Sequence, residues 1–565
     1  MPAGAHTYRL DETFIEPRVL PPPPTRHALF VFLLVLASIL HIGTAGWSDI
    51  HNGAEGSYAS SAREMFRTGS WVPPTPVDQD NSHQPPLGYW LIAMSFELFG
   101  ETAAATRFPI AAATVASVAL TFLIGERLAG YWRGFIAGLL HLCCLGTFIW
   151  GRIVTPEPIF AALLGASVFC AISGYQRRRQ RRWWFAGVWT FAAFASLANG
   201  PAGLLMPGAI LLVLGLLERE ARLRFRQLLD WRYALLFLAL VLPWHVWIQV
   251  HDGASSAQIS WTQWLEPFAG SAASGAAGMP LSRFLLVHLA WWFPLLLLVL
   301  PAMCLAPQRV LRPRQIDLAT ALPLVWMAVA FLPLLVSPHR QDYASASMWS
   351  ALALWVAWAW DQTPRALRLA GIGLTFAVGI AIASMAFFAA NVLPVLPPSP
   401  WPSARMVVLL IGLAIIASCL VAAHFAWRNR EELAIASIMV AMVPVGLGAA
   451  EAMARYGAHF SLAKAVQDLQ PSLGEAAEVL FEGTPHAGSS LGFYLERPPL
   501  IISAADPSNS TGLAVALEKM GAAHPVYLII RKERVPFWQE QLTERFHYYH
   551  QAATCGPHVV LDNQP

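Results

Sequence analysis

"HALFVFLLVLASILHIGTAGWSDIHNGAEGSYASSAREMF", residues 27–66, contains an unbroken apolar run followed at once by a small-residue turn with an acid, Glu55, and an Arg-Glu pair. The run over 27–47 is as long as a helix needs to cross the hydrocarbon core of a bilayer, which takes roughly 20 residues. A polar arm containing "PPPP" precedes it, and no small-residue cleavage site ends it, so it reads as a retained anchor and not as a signal peptide. Glu55 is thereby carried just beyond the end of a membrane span.

The rest of the chain repeats this pattern. Over 565 residues, 56% are hydrophobic and only 13% charged, a balance that belongs to a membrane protein. The formal net charge is +3 with the cations scattered among apolar runs, so nucleic acid is not an expected partner. Lysine occurs only at Lys464, Lys519 and Lys532, and five of the six cysteines lie in apolar runs, leaving Cys555 in the polar tail. No disulfide framework or zinc spacing follows.

Thirteen spans are expected, near 27–47, 106–128, 133–150, 156–175, 183–198, 201–217, 233–250, 283–305, 318–336, 343–360, 368–391, 405–427 and 433–453. Arginine tests the count, because short cytoplasmic loops are rich in it. With residues 1–26 as a cytoplasmic arm, the inner turns hold "RRRQRR" (177–182), "EREARLRFRQ" (218–227), "QRVLRPR" (308–314) and "RNR" (428–430). The loop of 251–282, on the opposite side, has neither arginine nor lysine. The expected fold is therefore a mainly α, polytopic membrane domain over 27–455 with an outer loop at 48–105. An outer domain over 456–565 follows, where charged residues return and apolar runs shorten to strand length in "AEVLFEG", "PPLIIS" and "HPVYLIIR". With the helical spacing of "TGLAVALEKMGA" and "PFWQEQLTERF", these make it a small α/β unit. No Gly-rich phosphate loop follows its strands, and no chemistry is assigned to it.

This topology gathers several distant motifs on one membrane face. "SYASSAREMFRTGSW" reads as an amphipathic helix lying along the interface, with Arg63, Glu64 and Arg67 toward water or headgroups. "TPEP" sets Glu157 between two prolines at the mouth of a span. "NSHQPPLGYWLIAMSFELFG" (81–100) is a Pro-Pro turn leading into an apolar helix too short to span comfortably. "LANGPAGLLMP" breaks two spans at Asn199, and "SPHRQDYASASMW" offers His339, Arg340, Asp342 and Tyr343 at an outer span end. The plain alternatives are a solvated loop carboxylate for Glu55 and, for Glu157, an acid in the first turn of a well-started helix.

Taken in order, these elements resemble the C-type membrane glycosyltransferases of the protein-mannosyltransferase and lipid A aminoarabinose transferase group. The resemblance covers the whole chain. The group's first-loop pattern stands here as Ala54, Glu55, Tyr58, Arg63, Glu64 and Met65. Its Lys-Pro-Pro-Leu signature stands as Gln84, Pro85, Pro86 and Leu87, followed by Tyr89 and Trp90. Its next turns are matched by Glu157, by Asn199, Gly200 and Pro201, by Pro243 and Trp244, and by Tyr343. The chain departs from the group at Ala54 (an aspartate), Ser57 (often an arginine), Gln84 and Asn199 (lysines).

The resemblance implies transfer of one sugar from a polyprenyl-phosphate carrier to a lipid, glycan or protein acceptor at the outer face of the bacterial cytoplasmic membrane. Such a donor brings its own leaving group, so the protein must position the acceptor, take its proton and stabilise the departing phosphate. Glu55 is the expected base with Glu157 as its acidic partner. Arg340, Tyr343, His339, Gln84 and His83 are expected at the donor phosphate, and Tyr58, Arg63, Tyr89 and Asn199 at the substrate. Two glutamates can also hold a divalent cation, but the outer turns add only Asp49, Asp78 and Asp80, and no cofactor is expected. A catalytically silent homologue that binds lipid-linked sugar, or a transporter, is the alternative. Transporters place ionisable groups at the midplane within repeated halves, whereas these acids lie at span ends.

Overall fold

The computed structural model describes residues 25–71, 85–252, 279–305, 318–337, 340–341, 343–392, 401–474, 476–502, 510–543 and 549–564. Residues 1–24 of the N-terminal arm, most of the 251–282 loop, and His83, Gln84, His339 and Asp342 lie outside the described residues.

Every one of the thirteen apolar runs is wholly or mostly helical, in one piece or two. Among the described residues, six helices are long and apolar enough to cross a membrane alone, or seven if one bent pair counts as a span. Two runs expected as single spans are broken. The 133–150 run forms helices Tyr131–Leu142 and Leu145–Trp150, and the 283–305 run forms Leu281–Trp291 and Leu295–Leu305, which meet at 111°. Pro294 lies in that second break, where a missing amide hydrogen prevents a continuous helical ladder. The 343–360 run starts as a 3-10 turn, Ala344–Met348, and becomes α-helical only at Trp349–Gln362.

Burial separates central helices from peripheral ones. In Glu157–Gln176, 83% of the apolar stretch is buried against other helices, whereas in the Trp401–Trp427 helix the share is 22%, so most of that surface faces outward. At the centre Phe122, Phe148, Phe160, Phe185 and Trp326 are fully buried, and the Trp326 indole N–H donates to the Ser347 carbonyl at 3.0 Å. Helices Ala103–Ala129 and Tyr131–Leu142 cross closely because Gly125 meets Gly134. A Cβ at position 134 would lie 2.4 Å from the Phe122 carbonyl oxygen. Small residues at a crossing let two backbones approach where side chains would hold them apart.

Beyond the helical bundle, five strands form one sheet in the order β2-β1-β3-β5-β4. β1 (Glu478–Glu482), β2 (Leu500–Ile502) and β3 (Val526–Arg531) are parallel, and they stand where the three apolar runs of the tail predict strands. Leu480, Leu528 and Ile530 pack on one face and Phe481 and Ile529 on the other. Because both faces are covered, each strand reads as a continuous apolar run and not as an alternation. The antiparallel hairpin of β4 (His550–Cys555) and β5 (His558–Asp562) was not expected from the sequence.

The helix Ala54–Thr68 corrects the sequence reading. Arg63 does not face water; ten of the helix's residues, Arg63 among them, are buried. It is clamped between the Leu87–Phe99 helix and the sheet domain's Ser489–Tyr494 helix. The Arg63 guanidinium donates to Glu101 at 2.6 Å and to the carbonyls of Leu495 at 2.5 Å and Gly492 at 3.3 Å. The Asn52 side-chain oxygen accepts from Ser490 Oγ at 2.6 Å, and Ser60 Oγ donates to the Ser489 carbonyl at 2.9 Å. The approach is so close that a Cβ on Gly56 would lie 2.5 Å from Ser489 Oγ and 2.7 Å from the Ser490 nitrogen.

Candidate active site

A cavity of about 1040 Å³ opens where the loop after the first apolar helix, three later helix ends and the sheet domain converge. The loop contributes His51 to Glu55, and the segment before the Glu157–Gln176 helix contributes Ile153 and Thr155. Arg283, Arg340 and Tyr343 come from the later helix ends, and His486, Arg531 and His558 from the sheet domain.

Glu55 lies at the wall of this cavity, but its carboxylate is already engaged. The side chain is 1% exposed. Oε1 accepts from Arg107 Nε at 2.8 Å and from the Val154 amide at 3.2 Å. Oε2 accepts from Arg107 Nη2 at 2.8 Å and from the His51 amide at 2.9 Å. Two hydrogen bonds on each oxygen fill the lone-pair positions of a carboxylate. Burial alone would raise the Glu55 pKa, but the Arg107 charge and hydrogen bonds, with His51, outweigh it and hold the carboxyl below its ordinary value of 4.5. A group so held is a poor proton acceptor and a strong organiser. Arg107 spends its remaining donors on the carbonyls of Ala45 at 3.0 Å, Ser48, and Asp49 at 2.7 Å. The pair thus gathers Ala45, Ser48, Asp49 and His51, which follow the first apolar helix, and Val154, three residues before Glu157.

A pH dependence follows from the sign of that shift. A carboxyl with a depressed folded pKa contributes stability that is fully present above its unfolded value and is lost as pH falls through its folded value. Acidification below about pH 4.5 should therefore lower the thermal midpoint of the purified protein more steeply than that of a Glu55→Gln variant. Equal slopes in the two proteins would contradict the assignment.

Near Tyr343 lies a second group. Tyr58 and Tyr89 stack with ring centroids 4.6 Å apart at 20°. Burial first, then the proximity of Tyr89, Glu157 and Tyr343, pushes the Tyr58 phenol well above its ordinary value. Glu157, at the first position of its helix and half-buried, thus belongs to this tyrosine cluster. Tyr343 itself packs on Trp150 at 5.0 Å.

Arg340 lies at the cavity beside the end of the Leu318–Val336 helix, where its guanidinium donates to the carbonyls of Leu334 at 2.9 Å and Leu335 at 2.8 Å. Arg283 and Arg531 bring two more guanidiniums, and both are exposed. Arg531 and His558 are cross-strand partners on β3 and β5. Burial, then the nearby Arg531 charge, pushes the His558 imidazole down to about 4, so it is neutral at pH 7.

The structure therefore brings Glu55, Arg340 and Tyr343 to one cavity, while Tyr58, Tyr89 and Glu157 lie near one another outside its lining. Arg63 is taken up by the contact with the sheet domain, and Asn199 ends the Arg181–Asn199 helix without lining the cavity. Sequence reasoning missed Arg107, Arg283, Arg531 and His558. Arg107 carried a usable signal, because an arginine one turn into a membrane helix demands a partner. The sheet-domain residues carried none, since nothing local in "IIRKER" or "CGPHVV" reports a cavity across the molecule.

Comparison with known proteins agrees with this architecture. Residues 83–247 match the dolichyl-phosphate-mannose-protein mannosyltransferase family. An undecaprenyl phosphate-alpha-4-amino-4-deoxy-L-arabinose arabinosyl transferase of Pseudomonas savastanoi pv. phaseolicola is 27% identical over 280 residues, 48% of each chain. A protein of the same name from Proteus mirabilis is 24% identical over 419 residues, 69% of this chain and 71% of that one. An uncharacterized Aquifex aeolicus protein is 26% identical over 182 residues, 32% of this chain and 36% of its own. The chain thus spans half or less of the length of several relatives it matches. In fold, the crystal structure of ArnT from Cupriavidus metallidurans bound to undecaprenyl phosphate superposes with a TM-score of 0.76 at 17% identity, covering 94% of this chain and 98% of that one. By family match over residues 83–247, by sequence relatives and by shared fold, the chain is similar to the membrane glycosyltransferases of the protein-mannosyltransferase and aminoarabinose-transferase group.

Proposed function

We propose that this protein moves a single sugar from a polyprenyl-phosphate carrier to a lipid, glycan or protein acceptor within the cavity beneath the sheet domain. The observation that carries the reading is the convergence of Arg283, Arg340 and Arg531 with Tyr343 on one cavity, with Glu157 in the tyrosine cluster nearby. In our reading thirteen spans place that cavity, and the sheet domain over 456–565, on the outer side of the bacterial cytoplasmic membrane. An acceptor hydroxyl attacks the anomeric carbon, its proton passes to a carboxylate, and the bond from that carbon to the phosphate oxygen breaks with the electron pair leaving on the phosphate. Guanidiniums suit that phosphate because they bind its oxygens bidentately.

Among the two acids we assign the proton to Glu157. Glu55, bound on both oxygens, keeps the loop and Val154 in place, a positioning role in place of the base expected from the sequence. Tyr58 and Tyr89 stack near Tyr343. We propose that His83, Gln84 and His339 assist at the donor, as the resemblance implies; His339 directly precedes the cavity residue Arg340 in sequence.

Arg340→Ala should raise the apparent KM for a polyprenyl-phosphate sugar about tenfold or more, the loss of one hydrogen-bonded charge, with a smaller change in kcat. An unchanged KM would remove Arg340 from the phosphate. We also propose that transfer needs no divalent cation, because three guanidiniums can balance the leaving phosphate. Turnover should be unaffected by titration with EDTA, and a loss restored by added Mg²⁺ or Zn²⁺ would overturn this.

One observation favours a second reading, a catalytically silent relative that binds lipid-linked sugar. Position 54 is alanine, and the neighbouring Glu55 is committed to Arg107. Incubation of the reconstituted protein with polyprenyl-phosphate sugars decides between them. Release of free polyprenyl phosphate supports transfer, and tight binding without release supports the silent relative.

A further inference from the structure

A second cavity, of about 790 Å³, lies far from the first and is lined by arginines. Arg181 and Arg182 open the Arg181–Asn199 helix, Arg226 sits in the 3-10 turn Arg226–Leu229, and Arg232 follows Trp231 at the start of the Trp231–Asp252 helix. The Arg181–Asn199 helix has 19 residues, about 28 Å at 1.5 Å per residue. Ala198, near its far end, packs with Ile50, Tyr58 and Val154 beside the first cavity. The two cavities therefore stand at opposite membrane faces, and the arginine pattern makes this one cytoplasmic.

The walls are tied together and not casually adjacent. Arg181 Nε donates to the Gly174 carbonyl at 3.0 Å, Trp189 Nε1 to the Leu228 carbonyl at 3.1 Å, and the Tyr233 hydroxyl to the Arg182 carbonyl at 3.3 Å. Four guanidiniums share the cavity with a single carboxylate, Asp230, which accepts from the Arg232 amide at 3.0 Å. Of the lining residues, Leu229 and Trp231 are 79% and 66% exposed. Cations in a hollow lined in part by exposed aromatic and aliphatic side chains match an anion attached to acyl chains, with tryptophan at headgroup depth.

We propose that this cavity binds the phosphodiester headgroup of an anionic phospholipid from the cytoplasmic leaflet. The arginines take the phosphate oxygens, and Leu229 and Trp231 lie against the acyl chains. The site is remote from the transfer chemistry, and its existence rests on the membrane orientation and not on the reaction.

The test is native mass spectrometry of the full chain released from micelles doped with phosphatidylglycerol or phosphatidylcholine. Wild type should retain phosphatidylglycerol and not phosphatidylcholine. The variant Arg182→Gln/Arg226→Gln/Arg232→Gln should bind phosphatidylglycerol about tenfold or more weakly. Arg428→Gln/Arg430→Gln, which removes arginines from another turn on that face, should bind as wild type. Should the triple variant not fold, Arg232→Gln alone should weaken binding about fivefold. Undiminished binding in the arginine-cavity variants, or an equal loss in the 428/430 control, overturns the proposal. Displacement of the lipid by millimolar inorganic phosphate also overturns it, since the cavity would then be a soluble-anion site.

Discussion

Glu55→Gln should cost the folded protein about 3–5 kcal/mol, the penalty for removing one partner of a buried ion pair. The expectation rests on burial at both ends, since the side chains of Arg107 and Glu55 are 3% and 1% exposed. Losing the carboxylate strands a guanidinium inside the protein, where unpaired charge is costly. The double variant Glu55→Gln/Arg107→Met should recover part of the loss. The recovery stays partial because Arg107 also satisfies the carbonyls of Ala45, Ser48 and Asp49. Thermal unfolding in detergent measures both proteins. A Glu55→Gln protein as stable as wild type would refute the organiser role and return this carboxylate to candidacy as the base.

Glu157→Gln should reduce turnover about 10²–10⁴-fold, the usual contribution of a positioned general base, while leaving thermal stability within about 1 kcal/mol, since a half-buried first-turn position tolerates the neutral isostere. The two variants thus separate by readout, the first chiefly through stability and the second chiefly through the chemical step. Polyprenyl phosphate release, measured under single-turnover conditions, isolates that step from product release. Near-normal release from Glu157→Gln would exclude this carboxylate as the acceptor of the proton.

How far the sequence carries depends on the range of the interaction being read. Helix positions followed from the length and apolarity of local runs, and β1, β2 and β3 from strand-length apolar stretches, because both signals are written within a few residues. The β4–β5 hairpin escaped because "HQAATCGPHVVLD" begins with small and polar residues; β4 is an edge strand, mostly exposed, and its partner β5 holds the apolar side. At the candidate site, Glu55, Arg340 and Tyr343 stood out by their places at span ends. Arg107 was hidden inside an apolar helix, and Arg531 with His558 in a domain for which no chemistry was evident. Arg63 was misjudged for the same reason: helical spacing marked its face as polar, and only the fold shows that the polar partners are the carbonyls of Gly492 and Leu495 and the carboxylate of Glu101.

The seam at Gly56 limits how such proteins can be recombined. With Ser489 and Ser490 seated against the bare glycine backbone, the roof of the cavity is keyed to one particular floor. A chimera that imports a foreign roof onto this bundle would have to import residues 49–68 as well, since any side chain at position 56 would wedge the two parts open.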